Sequence, residues 1–94
     1  MAGRSGAAAI NVALREAGQT FDPCKLATEC RAAHPKVAAA LDMLDVKPEM
    51  KLDDTECYLL YTEGAIAETV DVASGVSVDV LADGRLRGIS FYVE

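Results

Sequence analysis

The 94-residue sequence predicts one α+β domain, residues 1–94, in which two or three N-terminal α-helices pack on one face of a four-stranded antiparallel β-meander. Two observations lead to this prediction. Residues 1–47 are rich in alanine and have helical periodicity, whereas residues 48–94 are rich in β-branched and aromatic residues and alternate between apolar and polar. A chain of this length forms one domain of ordinary size, so the helical half is expected to cover the sheet.

Two or three helices are expected before Lys47-Pro48. The first covers residues 5–17, because Ser5 is a good N-cap and Gly18 is a typical C-terminal stop. The second opens with Asp22-Pro23, a carboxylate N-cap followed by proline at the first helical position. Pro35 ends or kinks that helix and also suits the start of a third. The predicted inner faces carry Ile10, Leu14 and Ala17, then Leu26, Cys30 and Ala33, then Val37, Ala40, Leu41 and Leu44.

Four strands are expected after Lys47-Pro48, each bounded by turn residues. They cover residues 56–62, 66–73, 76–80 and 86–93. The third alternates valine with serine and aspartate, which is the period-two pattern of a half-buried strand. Asp83-Gly84 predicts a tight hairpin with positive φ, and Gly88 inside the last strand suggests a β-bulge.

Motifs of the second half occur in a defined order. They are Met50-Lys51, Asp53-Asp54-Thr55-Glu56, Tyr58-Leu59-Leu60, Glu68-Thr69-Val70-Asp71-Val72, Gly75-Val76-Ser77-Val78-Asp79 and Asp83-Gly84-Arg85-Leu86-Arg87-Gly88-Ile89. This order resembles a family of short bacterial domains, the domain of unknown function numbered 2283. The resemblance spans residues 50–93 and implies a β-meander without implying an activity. Leu52, Cys57 and Leu60 depart from the polar opening strand of that family, and residues 1–47 lie outside the resemblance.

The overall charge excludes two classes of partner. The formal net charge is −6, whereas direct nucleic-acid binding and binding to anionic membranes both need clustered lysine and arginine. No stretch approaches the 18 apolar residues of a membrane-spanning helix. Three cysteines, an odd number in so short a chain, do not make a disulfide scaffold, which indicates a reducing compartment, and the expected location is cytoplasmic.

The cysteine and histidine residues raise the hypothesis that the protein is a small thiol enzyme or a metal protein. Cys30 and His34 are four residues apart, so on a continuous helix they would share a face as a thiolate–imidazole pair. A zinc site would need Cys24 and Cys57 as well, and this spacing matches no standard zinc motif. Without a third orienting residue, we predict no catalytic residue, no metal and no cofactor.

The acidic residues are unevenly distributed along the chain. Residues 1–47 carry five acids and six bases, whereas residues 48–94 carry ten acids and three bases. Eight acids and no base occur between positions 53 and 83, namely Asp53, Asp54, Glu56, Glu63, Glu68, Asp71, Asp79 and Asp83. These residues either form a solvated face that prevents aggregation or an anionic surface that binds a basic groove on a partner.

The leading functional hypothesis is therefore a non-enzymatic interaction protein. Its acidic sheet would block a basic, nucleic-acid-binding partner by imitating phosphates, and in type it is similar to phage-encoded inhibitors, including anti-CRISPR proteins. The alternative is a homo-oligomeric scaffold module joined through open sheet edges. The first hypothesis predicts a monomer or a weak homodimer.

Overall fold

The structure, a computed structural model, describes residues 12–92, and these form three helices and a five-stranded antiparallel sheet. The α+β prediction is confirmed. Helix α1 covers residues 12–19 of the described chain, and the other elements are α2 (Pro23–Cys30), α3 (Pro35–Asp42), β1 (Glu49–Leu52), β2 (Glu56–Leu60), β3 (Ile66–Ala73), β4 (Val76–Leu81) and β5 (Leu86–Tyr92). Ser5, Ile10 and residue 93, which belong to predicted elements, lie outside the described residues.

The starts of α2 and α3 follow the predicted local rules. The Asp22 carboxylate accepts hydrogen bonds from the backbone N–H groups of Cys24 at 3.0 Å and Lys25 at 3.4 Å, which satisfies donors that a helix start leaves unpaired. Pro35 starts α3, so the third helix forms. Ala33 follows α2 in a turn and is exposed, so its predicted inward position is wrong, and Ala27 lies inside instead.

Gly18 does not end the first helix, because α1 continues through residue 19. A Cβ atom at Gly18 would lie 2.7 Å from Met50 Cε and 2.8 Å from Cys57 Sγ. The missing side chain lets α1 lie directly against β1 and β2. The glycine is therefore a close-packing residue rather than the predicted stop.

The strand order β1-β2-β5-β4-β3 corrects the predicted four-stranded meander in two ways. The sequence does not predict the short strand β1, because its four residues directly after Pro48 are too few to show a clear alternation of apolar and polar side chains. The predicted first strand, β2, pairs with β5 and not with β3. The register places Cys57 opposite Phe91 and Leu59 opposite Ile89, so the apolar residues of β2 are buried between β1 and β5, while the more exposed β3 lies at an edge.

Residues 61–65 connect β2 to β3 past the ends of β5 and β4, and Arg87 holds this crossover. Its carbonyl accepts hydrogen bonds from the N–H groups of Tyr61 and Thr62 at 2.8 and 3.1 Å. Its guanidinium Nε donates to the Gly64 carbonyl at 2.8 Å. The β4–β5 register shifts beside Arg87, which agrees with the bulge predicted near Gly88.

The core lies between the helices and one face of the sheet. Its largest fully buried side chains are Leu59, Leu86, Ile89, Val78 and Cys57. Phe21, between α1 and α2, packs edge-on against Phe91 with ring centroids 5.5 Å apart. None of the helices within residues 12–92 is long and apolar enough to cross a membrane.

The opposite face of the sheet, which we call the open face, carries mostly polar side chains. Strand alternation and the pairing register assign it Glu56, Tyr58, Thr69, Asp71, Ser77, Asp79, Ser90 and Tyr92.

Candidate interaction surface

The eight predicted acids occupy three different places and do not converge on one surface. Glu56, Asp71 and Asp79 lie on the open face. Glu68 shares a register position with Val80 and faces the helix side. The remaining four lie in the loops at the two ends of the sheet, namely Asp53, Asp54, Glu63 and Asp83.

Asp79 is the most enclosed of these acids, with 8% of its surface exposed. The Tyr58 hydroxyl donates to its Oδ2 at 2.8 Å, and the Thr69 hydroxyl donates to its Oδ1 at 2.7 Å. Arg87 Nη1 donates to the Tyr58 oxygen at 2.8 Å. A chain of hydrogen bonds therefore joins β5, β2, β4 and β3, and both oxygens of Asp79 accept hydrogen bonds within the protein, as a buried carboxylate requires.

Tyr58 reaches Asp79 by lying across β5 at Gly88. A Cβ atom at Gly88 would lie 2.4 Å from Tyr58 Cζ and Oη, so only glycine leaves room for the ring. Burial raises the pKa of Tyr58 to about 12, and the hydrogen bond to Asp79 adds to this rise while Arg87 opposes it. Tyr58 is therefore a neutral hydrogen-bond donor at physiological pH.

A second polar group links β3, β4 and β5 on the open face. The Ser77 hydroxyl donates to Asp71 Oδ1 at 2.6 Å, and its oxygen lies 3.2 Å from the Tyr92 hydroxyl oxygen. The Ser90 hydroxyl donates to the Glu56 carboxylate. Glu56 and Asp71 are more exposed than Asp79, so these hydrogen bonds orient carboxylates that water or a partner can still reach.

Two of the loop acids organise turns. The Asp53 carboxylate accepts hydrogen bonds from the backbone N–H groups of Thr55 and Glu56, and these bonds lower its pKa. The Asp83 carboxylate accepts hydrogen bonds from the backbone N–H and the guanidinium of Arg85, and these bonds lower its pKa in the same way. Within residues 12–92, Asp54 and Glu63 are exposed and have no hydrogen-bond partner.

The sequence did not reveal the hydrogen-bonded chain through Tyr58. Its one sequence signal is Gly88, because a glycine inside a strand marks either a bulge or a close approach by another group. The bulge predicted at Gly88 corresponds to only the first of these. In the structure the bulge and the close approach of Tyr58 both occur at this point.

The thiolate–imidazole hypothesis does not fit the local backbone. Helix α2 ends at Cys30, and His34 precedes α3, so the two residues do not share a continuous helix. Burial raises the pKa of the Cys30 and Cys57 thiols, which makes both less reactive. In the part of the chain that the structure describes, no group of three or more His, Cys, Asp or Glu residues could hold a metal ion.

No protein-family model, curated protein or solved structure matches the chain. The resemblance of residues 50–93 to the domain of unknown function numbered 2283 therefore stays a prediction. The candidate interaction surface rests on the geometry of this chain alone.

Proposed function

We propose that the protein is a non-enzymatic binding module that presents acidic side chains around its sheet to a basic protein partner. The observation that carries this proposal is that the two arginines after the acid-rich stretch, Arg85 and Arg87, already have partners within the protein. Arg85 pairs with Asp83, and Arg87 is bound to Tyr58 and the Gly64 carbonyl. The exposed acids between residues 53 and 83 are thus left with few cations nearby, and a partner would supply the compensating charge.

The open face suits such a partner because its carboxylates are held in place. Hydrogen bonds from Ser77 and Ser90 orient Asp71 and Glu56 before any partner arrives. Pre-organised acceptors lose less conformational entropy on binding than mobile ones. Their shared charge also accelerates encounter with a positive surface.

In its finer form the proposal names a basic, nucleic-acid-handling protein as the partner and inhibition as the result. The acids would take the place of phosphates in the partner's groove, in the manner of a nucleic-acid mimic or an anti-CRISPR inhibitor. The unbridged cysteines suit a reducing compartment, so we place this activity in the cytoplasm. No cofactor takes part in this function.

The proposal is tested by neutralising exposed acids in two matched sets. The first combines Asp54→Asn, Glu63→Gln and Asp71→Asn around the sheet, and the control combines three helical-half substitutions, Glu16→Gln, Glu29→Gln and Asp45→Asn. Binding to a labelled ten-residue oligolysine peptide is measured by fluorescence anisotropy at low and physiological salt. We expect the sheet set to weaken binding about tenfold more than the control set, with the difference shrinking as salt rises.

Equal weakening by the two sets, with both proteins folded, would show that the acids only solvate the surface. In that event the binding proposal is wrong. Capture of a basic nucleic-acid-binding protein from host lysate, lost in the sheet set and kept in the control set, would support the finer form.

A further inference from the structure

Strand β3 is the most exposed strand of the sheet and forms its longer edge. Its eight residues pair with β4 on one side, and in the described residues no strand pairs with the other side. Residues 66–69 are exposed, and Ile66 exposes 48% of its surface. We infer that the outer edge of β3 pairs with an extended, basic segment of the partner protein. This inference rests on the proposed function and specifies how the partner binds.

The first support is an apolar groove beside the edge. Two adjoining cavities of about 670 and 520 Å³ lie between α3 and the β3–β4 side of the sheet, and both are lined by Lys36, Val37 and Glu68. The helix wall of the larger cavity includes Met43, which exposes 61% of its surface. Every second side chain of a strand added at this edge would therefore point into an apolar groove, as in peptides bound by strand addition.

The second support is charge. Glu68 lies on the helix side of β3 and Asp71 on the open face, so acids stand on both sides of the edge. Lys36 is the one lysine or arginine among the described residues that line the two cavities. An added strand with basic residues would meet opposite charge on either face. A second copy of β3 would instead bring its own Glu68 and Asp71 to the same edge, which adds like charge on both faces and is unfavourable.

The third support is the irregular register of β3. Its pairing with β4 shifts at Ala67 and again at Val72, which leaves residues 68–71 as a regular stretch. Bulges at an edge hinder unlimited strand stacking between copies. A regular stretch of four residues still offers a short, specific pairing site.

The test uses synthetic peptides, so the protein is not altered. The probe is a labelled eight-residue peptide that alternates lysine and valine. Its matched control is a depsipeptide with the same side chains in which the four central amides are esters, so the charge is kept and four N–H donors are lost. We expect the ester to bind at least about tenfold more weakly, because strand addition depends on main-chain hydrogen bonds.

Two further measurements locate the site on the protein. Amide hydrogen exchange with the amide peptide bound is expected to slow in residues 68–71. When the valines of the probe enter the groove its lysines lie on the open face, so Asp71→Asn is expected to weaken binding several-fold, whereas Asp45→Asn, a matched change after α3, leaves it within about twofold.

The outcomes distinguish a failure of this inference from a failure of the proposed function on which it rests. If the ester and the amide bind equally and both respond to salt, strand pairing is overturned and the acidic binding function stands. If neither peptide nor oligolysine binds, the proposed function fails and this inference fails with it. A protein that sediments as a dimer with protected β3 amides would overturn the inference, because a second copy would then occupy the edge.

Discussion

The two faces of the sheet stabilise the same strands by different means. On the helix-covered face, Leu59, Ile89 and Val78 are fully buried against apolar helix residues. On the open face, Ser77, Asp79 and Ser90 are also buried, with 7–8% of their surface exposed, and their neighbours are polar. The first face depends on exclusion of water from apolar surface, and the second depends on hydrogen bonds made to enclosed polar groups.

The open face shows that a sheet without a second layer can still enclose polar groups. The side chain of Tyr58 lies across β5 and covers the strand beneath it. Among the described residues, no buried side-chain nitrogen or oxygen lacks a hydrogen-bond partner. Because each polar group is satisfied, this face is expected to be rigid without being apolar.

The largest effect is expected from a cavity on the helix-covered face. Leu59→Ala removes a side chain that is 1% exposed, and we expect a loss of about 3 kcal/mol in the free energy of unfolding. Urea denaturation measures this loss. The control is Ile66→Ala on the exposed edge, where we expect a change within about 1 kcal/mol. Similar losses at the two positions would contradict the assignment of the core.

The next effect is expected where Tyr58 crosses Gly88. Gly88→Ala would displace the ring and its two hydrogen bonds, so we expect a loss of about 2 kcal/mol in the free energy of unfolding. The same substitution in a Tyr58→Ala background is expected to cost much less, because the clash is then absent. A double-mutant cycle by urea denaturation measures this coupling. Additive costs would show that Tyr58 does not lie across Gly88.

A smaller effect is expected from the Tyr58 hydroxyl alone. Tyr58→Phe leaves Asp79 with the Thr69 hydroxyl as its remaining side-chain donor, and we expect a loss of about 1.5 kcal/mol in the free energy of unfolding. The matched control is Tyr92→Phe, whose hydroxyl makes longer contacts at the more exposed end of the face. Thermal unfolding of both variants gives the comparison, and equal shifts would argue against a special role for Tyr58.

The smallest effect on stability at neutral pH is expected from tyrosine ionisation, which changes the free energy of unfolding only at alkaline pH. The pKa values of Tyr58 and Tyr61 are raised from 10.0 to about 12, chiefly by burial. Above pH 10 the unfolded chain loses these protons and the folded protein keeps them. The free energy of unfolding is therefore expected to fall as pH rises from 10 towards 12 and to be unaffected by these groups below pH 10.

Urea denaturation at pH 9, 10 and 11, together with tyrosinate absorbance, measures this dependence. Tyr58→Phe is expected to make the alkaline loss shallower. If the folded protein develops tyrosinate absorbance at the same pH as the urea-unfolded chain, the burial of these hydroxyls is wrong.

Elements governed by neighbouring residues were predictable from the sequence. The Asp22-Pro23 start of α2 and the positive φ of Gly84, at +89°, follow from local backbone preferences. The acid-rich stretch was also visible, but its placement was not. Whether Asp79 is enclosed and Asp54 exposed depends on which side chains lie over them, and those come from other strands.

Whether a feature could be predicted from the sequence depends on how far apart in the chain the interacting residues lie. The sequence by itself determined the helical and β halves, the turns and the acidic balance, because periodicity, capping and charge are properties of nearby residues. Tertiary structure decided that β2 pairs with β5, that Gly18 is a packing residue and that Tyr58 bonds Asp79. The partners in these contacts lie more than 20 positions apart in the chain, where the choice depends on which arrangement buries apolar surface and satisfies every enclosed polar group.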